Sequence, residues 1–199
     1  MPCPYMCGRG TMKYNSEIHH RKSIRLRHYD YSQSGAYFIT MCTHNRECLL
    51  GEIIDREMVL NDAGEITQHY WLEVPNHFPN VVLDEYIVMP NHVHGIIVSN
   101  DNVGARHAVP LQQAEQFGKP TRQSIPTIIR SFKSAVTNQI NQTHQNTGSS
   151  VWQQNYYEHI IRNEIELNKT REYIVYNPIN WTTDENYVGT RHAGEKTGR

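Results

Sequence analysis

Between Ala36 and Tyr176 the chain passes through patterned segments in the order strand, helix, strand, strand, helix, strand, helix, and that order constrains the fold more than any other feature. Residues 36–42, Ala-Tyr-Phe-Ile-Thr-Met-Cys, are β-branched and aromatic, the composition of a buried strand. Residues 49–60 read as a small hairpin turning at Asp55-Arg56. Asn61 or Asp62 caps a helix running to about Val74, with Ile66, Tyr70 and Val74 on one face and Pro75 ending it. Residues 81–83 and 86–89 make a second strand, and Pro90-Asn91 turns the chain into a third, 92–98. Ser124 caps the next helix, where Pro126 is tolerated in the first turn and Ile125, Ile128, Ile129, Phe132, Val136 and Ile140 form a core stripe. Residues 151–161 hold a short edge strand, and 164–176 a last helix stopped by Pro178. With the hairpin set aside, this is the order of an α+β fold, a ferredoxin-like split βαβ with an antiparallel sheet and helices packed on one face.

A length of 199 residues suits one domain with a real core. We assign 21–181 to that domain, 1–20 to a disordered N-terminal extension and 182–199 to a polar tail. Residues 100–122, rich in Gly, Pro and Gln, read as a mobile loop, and 142–150 as a polar linker. Cys3, Cys7, Cys42 and Cys48 do not resemble a disulfide framework in a chain this long. No signal peptide and no apolar run near ~18 residues is visible, so the expected location is cytoplasmic, with no membrane partner. Gly189–Ala193 echoes Gly104–Ala108, and we have no physical account of that echo.

His92 and His94 lie two apart on an expected strand, so both imidazoles emerge from the same face and can grip one cation side by side. Val93, Ile96 and Val98 suit the opposite, packed positions. A His-x-His pair is equally the signature of an ordinary polar strand face. Tyr173 and Asn177 stand one helical turn apart, which can bring a phenol and an amide oxygen to one site. The same spacing is equally met by amphipathic packing and a helix end before proline.

Three blocks change that balance: Met89-Pro90-Asn91-His92-Val93-His94-Gly95, residues 152–163 from Trp152 to Asn163, and Tyr173-Ile174-Val175-Tyr176-Asn177-Pro178. In order and spacing, from about Arg21 to Trp181, the chain resembles the REP-associated tyrosine transposases of the HUH (His-hydrophobic-His) single-tyrosine superfamily. The resemblance implies an RRM-like domain with the histidine pair on a central strand and the tyrosine on the C-terminal helix. It implies His92 and His94 as metal ligands, Tyr173 as nucleophile and Asn177 as a further ligand. Tyr157 is the alternative nucleophile.

The implied reaction is metal-dependent cleavage and rejoining of single-stranded DNA through a 5′-phosphotyrosine, with Mg²⁺ or Mn²⁺ as cofactor and palindromic repeat hairpins as substrate. A homodimer is left open. The formal net charge of -1 is not that of a bulk nucleic-acid binder, so DNA contact must rest on local charge. Arg21, Lys22, Arg25 and Arg27, with Tyr29, form a basic, aromatic strip suited to phosphate and base contact, and Arg130 and Lys133 extend it. The alternative is a non-catalytic RRM-like nucleic-acid-binding protein, which would stack bases on exposed strand aromatics.

Overall fold

A computed structural model describes residues 34–100, 123–145 and 148–187. The elements are β1 (Gly35–Cys42), β2 (Gly51–Ile54), β3 (Glu57–Leu60), α1 (Asp62–Leu72), the single-turn α2 (Val74–His77), β4 (Val81–Met89), β5 (His92–Ser99), α3 (Ile125–Thr143), β6 (Tyr157–Ile161) and α4 (Glu164–Val175). The four main strands pair antiparallel in the order β4-β5-β1-β6. That is the ferredoxin-like arrangement, with the β2-β3 hairpin inserted as a separate ribbon. Asp55 and Arg56 both take left-handed backbone angles (φ 50° and 69°), the geometry of a two-residue turn whose twist matches the flanking strands.

Local signals explain the helices. Asn61 caps α1 by accepting from the Gly64 amide, and Asn163 caps α4 by accepting from the Glu166 amide. The stripe on α3 is buried throughout, from Ile125 to Ile140. On α1 the deepest residues are Ala63, Thr67 and Trp71, while Ile66 and Tyr70 are only half-buried. Pro75 does not simply end that helix. The helix stops at Leu72, and Pro75 sits in the first turn of α2, where its missing N–H costs nothing.

Two apolar layers flank the sheet. Tyr37, Ile39, Met41, Val93 and Ile97 face α1 and α3, completing a core with Trp71, Ile128 and Phe132. Phe38, Ile87, Ile96 and Val98 face the other way, against Ile174 and Leu167 of α4. The expectation of helices on one face therefore holds for α1 and α3, whereas α4 covers the second face. Ile96 and Val98 also correct the sequence reading. Strand period two puts them beside His92 and His94 rather than behind them, and only Val93 lies opposite.

β4 follows this alternation only with a bulge. Leu83 pairs with Ile97 and Tyr86 with Gly95, so Asp84 and Glu85 stand against Ile96 alone. The bulge absorbs the extra residue, so Tyr86, against Gly95, faces Trp71 and Ile87, against His94, faces α4.

Candidate active site

The site forms where the α4 face of the sheet meets the end of α4. His92 and His94 occupy the start of β5, fully buried, with ring centroids 4.4 Å apart. The Asn91 amide fixes the first ring. Its Nδ2 donates to the carbonyls of Arg46 (3.1 Å) and Asn186 (2.8 Å), so Oδ1 must be the atom that faces His92 Nδ1 at 2.8 Å. His92 Nδ1 therefore carries the proton and donates, leaving Nε2 as a bare lone pair. That atom is buried with no hydrogen-bond partner among the described residues. Nδ1 of His94 is held by the Thr40 hydroxyl at 2.8 Å, on the neighbouring strand in register with it. Its Nε2 is thereby turned toward α4.

On α4, Tyr173 points at the sheet. Its hydroxyl lies 3.2 Å from His94 Nε2 and donates to Asp184 Oδ2, also at 3.2 Å. The ring packs edge-on against Phe38, which stacks in turn on His94. One turn later, Asn177 is buried beside His92 and its Nδ2 donates to the same Asp184 oxygen at 3.0 Å. This fixes the amide orientation. Asn177 Oδ1 is then a second buried acceptor with no hydrogen-bond partner among the described residues.

Asp184 is the residue that sequence reasoning missed. It follows the 3-10 turn Trp181–Thr183, in the stretch read as the start of a polar tail. Residues 184–186 are tied into the site. The Asn186 amide donates to Asp184 Oδ1 (2.6 Å), Asn186 accepts from Asn91, and the Glu185 carbonyl accepts from Arg46. His92, His94 and Asp184 each offer a ligand atom, all within 4.8 Å of one another. No sequence spacing relates Asp184 to β5, so only the folded chain reveals it.

Electrostatically the site is a desolvated set of electron pairs. Burial, helped by the Arg46 charge, depresses the His92 pKa to about 3. Burial and the adjacent His92 hold His94 well below the usual imidazole range. Both rings are neutral at neutral pH. Burial, then the Asp184 carboxylate, raises the Tyr173 phenol above its ordinary value. A bare His92 nitrogen and a bare Asn177 oxygen, enclosed without a proton to share, are costly unless a cation satisfies them. The residues therefore fit a divalent metal ion: two imidazole nitrogens, an amide oxygen and a carboxylate.

No family model matches the chain. An uncharacterized protein of Haemophilus influenzae is 48% identical over 180 residues, covering 89% of this chain and 99% of that relative, and the two belong to one family. A second Haemophilus influenzae protein, named as a REP-associated tyrosine transposase, is 26% identical over 153 residues, covering 75% of this chain and 73% of its own. The solved structure of a REP-associated tyrosine transposase bound to a REP hairpin superposes with a TM-score of 0.50 at 18% identity, covering 88% of this chain and 99% of that one. The chain resembles the REP-associated tyrosine transposases in sequence and in fold.

Within this transposase fold the other expected site residues are dispersed. Tyr157 opens β6 and packs edge-on against Phe38; it and His94 flank Thr40 from opposite neighbouring strands, so Tyr157 lies one strand further from the cluster than Tyr173's hydroxyl contact. Arg130 and Lys133 ride on α3, behind the sheet from the histidines. Lys133 is committed internally, donating to the carbonyls of Gln153 and Asn155, both at 3.0 Å, with Tyr156 beneath it. Burial lowers its pKa to about 8. Of the two, Arg130 alone is exposed. Arg21, Lys22, Arg25, Arg27 and Tyr29 lie outside the described residues. Among the described residues no helix is long and apolar enough to cross a membrane.

Proposed function

We propose that this chain is a metal-dependent single-strand DNA endonuclease and transposase that cuts and rejoins palindromic repeat hairpins through a 5′-phosphotyrosine at Tyr173. The observation that carries the reading is the Tyr173 hydroxyl, 3.2 Å from His94 Nε2 within one chain, beside two buried acceptors that no proton satisfies. The REP hairpin bound by the solved relative supports the substrate class.

His92 Nε2, His94 Nε2, Asn177 Oδ1 and the Asp184 carboxylate would hold Mg²⁺ or Mn²⁺, which when bound withdraws charge from the scissile phosphate and favours phenolate. Tyr173 Oη attacks phosphorus, a tyrosyl P–O bond forms and the bond to the 3′ oxygen breaks. Asp184 Oδ2 accepts the phenolic proton and returns it to the departing 3′ oxygen, which leaves as a hydroxyl. Because the phosphodiester is exchanged rather than hydrolysed, rejoining by the 3′-OH needs no ATP. Tyr173 is 42% exposed, so a strand can reach it from solvent. Phosphate contact falls to the basic strip of Arg21, Lys22, Arg25 and Arg27, with Tyr29 offering a ring and Arg130 a more distant charge. A non-catalytic RRM-like role is less well supported, since the strand centre carries buried imidazoles instead of exposed rings.

The test is incubation with a single-stranded repeat hairpin and Mn²⁺, followed by a denaturing gel and mass mapping of adducts. The expected product is DNA linked to the peptide containing Tyr173, and none from Tyr173→Phe. An adduct on Tyr157 would move the nucleophile, and no cutting under any metal would sink the reading.

A further inference from the structure

The helix that carries Tyr173 is thinly anchored. Ile174 is the one residue of α4 that is fully buried, and Ile165 is 71% exposed. Half-buried Leu167 and the Tyr173 ring on Phe38 add only a narrow apolar footing, so polar ties take a large share in fixing the rotation of the helix about its own axis. Two of them reach the edge strands of the sheet, one at each. At its first turn, Glu166 accepts from His159 Nε2 of β6 at 2.7 Å and from the Arg162 amide at 2.8 Å. Five residues on, Arg171 reaches β4. Its Nε and Nη2 donate to Oδ1 and Oδ2 of Asp84 at 2.8 and 2.6 Å, a two-bond fork whose plane sets direction as well as distance. Nη1 donates to Asn168 Oδ1 at 3.0 Å, steadying the guanidinium on its own helix.

Asp84 follows Leu83 on the alternate face of β4, against Ile96 at the bulge, which puts it on the α4 side. The Glu85 amide donates to its Oδ1 at 2.7 Å, steadying the carboxylate. Arg171 is two residues from Tyr173 and three from Ile174. Freeing it releases the helix to turn around Ile174, and Tyr173 Oη moves with it.

We propose that the Asp84–Arg171 fork is a positioning device for the nucleophile: it sets the rotation of α4 so that Tyr173 Oη meets the His92–His94 cluster. The pair touches no reacting atom. Its two side chains remain 19% and 37% exposed, so solvent screening limits what the pair adds to global stability, although its two-bond geometry lifts it above an ordinary surface ion pair. Its effect on the rate and its effect on the fold are therefore separable. The assignment rests on the nuclease reading of Tyr173.

Asp84→Ala and Arg171→Ala are compared with wild-type protein by single-turnover cleavage of the hairpin used above, by hairpin binding without metal, and by thermal melting. Near-attack geometry is steep in distance, so each variant should cut about 10- to 100-fold more slowly. Melting temperature should shift by no more than a few degrees, and hairpin affinity should not weaken for Asp84→Ala. The exchanged pair, Asp84→Arg with Arg171→Asp, should recover part of the rate. Wild-type rates in both single variants would overturn the clamp while leaving the nuclease reading intact, provided Tyr173→Phe is inactive. Slow cleavage accompanied by a large drop in melting temperature would make the pair merely structural. Weaker hairpin binding only in Arg171→Ala would make Arg171 a phosphate contact instead. If the wild-type protein itself cuts nothing, both ideas fail together.

Discussion

Asn91 has every polar atom of its side chain engaged, and it does so with no exposure to water. It orients His92 from behind, the way metal-ligating imidazoles are usually steered. It also pins the segment that delivers Asp184. Asn91→Ala should weaken Mn²⁺ binding by about 10- to 100-fold, read by calorimetric titration; unchanged affinity would remove Asn91 from the site. The two histidines also make stability depend on pH. The His92 pKa is about 3 in the folded chain against 6.5 when unfolded, so the unfolded state takes up the proton first. Stability is complete above pH 6.5 and is lost as pH falls toward 3. Between pH 6.5 and 5 His92 alone should cost about 2 kcal/mol. Urea unfolding of metal-free protein measures this, and His92→Asn should flatten the slope.

At the scale of elements, most of what the chain builds was legible. The α3 stripe, the Asp55-Arg56 turn and the His-x-His strand are local patterns, and periodicity reads local patterns well. The faces were harder. Sheet sides are set by what packs on them, and the sequence carries no mark that α4 would cross to the histidine side and bury Ile96 beside them. Trp71 shows the cost of that arrangement on the other layer. A Cβ at Gly95 would land inside its indole, which is why a glycine sits in the middle of a buried strand. Gly95→Ala should destabilise by about 1–3 kcal/mol, seen as a lower urea midpoint with an unchanged slope. The candidate ligands divide the same way. His92, His94 and Asn177, with the Tyr173 phenol, lie in short blocks whose family resemblance names them, whereas Asp184 is joined to them only by tertiary hydrogen bonds.

For the molecule as a whole, the phenol and both imidazoles come from one chain. A mixture of Tyr173→Phe with His94→Ala should therefore remain inactive, because neither protomer can lend the missing group to the other. Restored cutting in the mixture would show that α4 exchanges between copies. With a formal net charge of -1, the proposed DNA contact would fall to local charge, and the proposed cleavage should lose rate with added salt only as steeply as a few phosphate contacts dictate.

The extra residue between Leu83 and Tyr86 bends β4 without re-sorting its side chains. Removing Glu85 would leave Leu83, Asp84, Tyr86 and Ile87 against Ile97, Ile96, Gly95 and His94 in unbroken alternation, so each would keep its face. What the deletion takes away is the local kink beneath Asp84, the carboxylate gripped by Arg171. A one-residue deletion in an edge strand would thus straighten the footing of α4 while leaving both apolar layers in place.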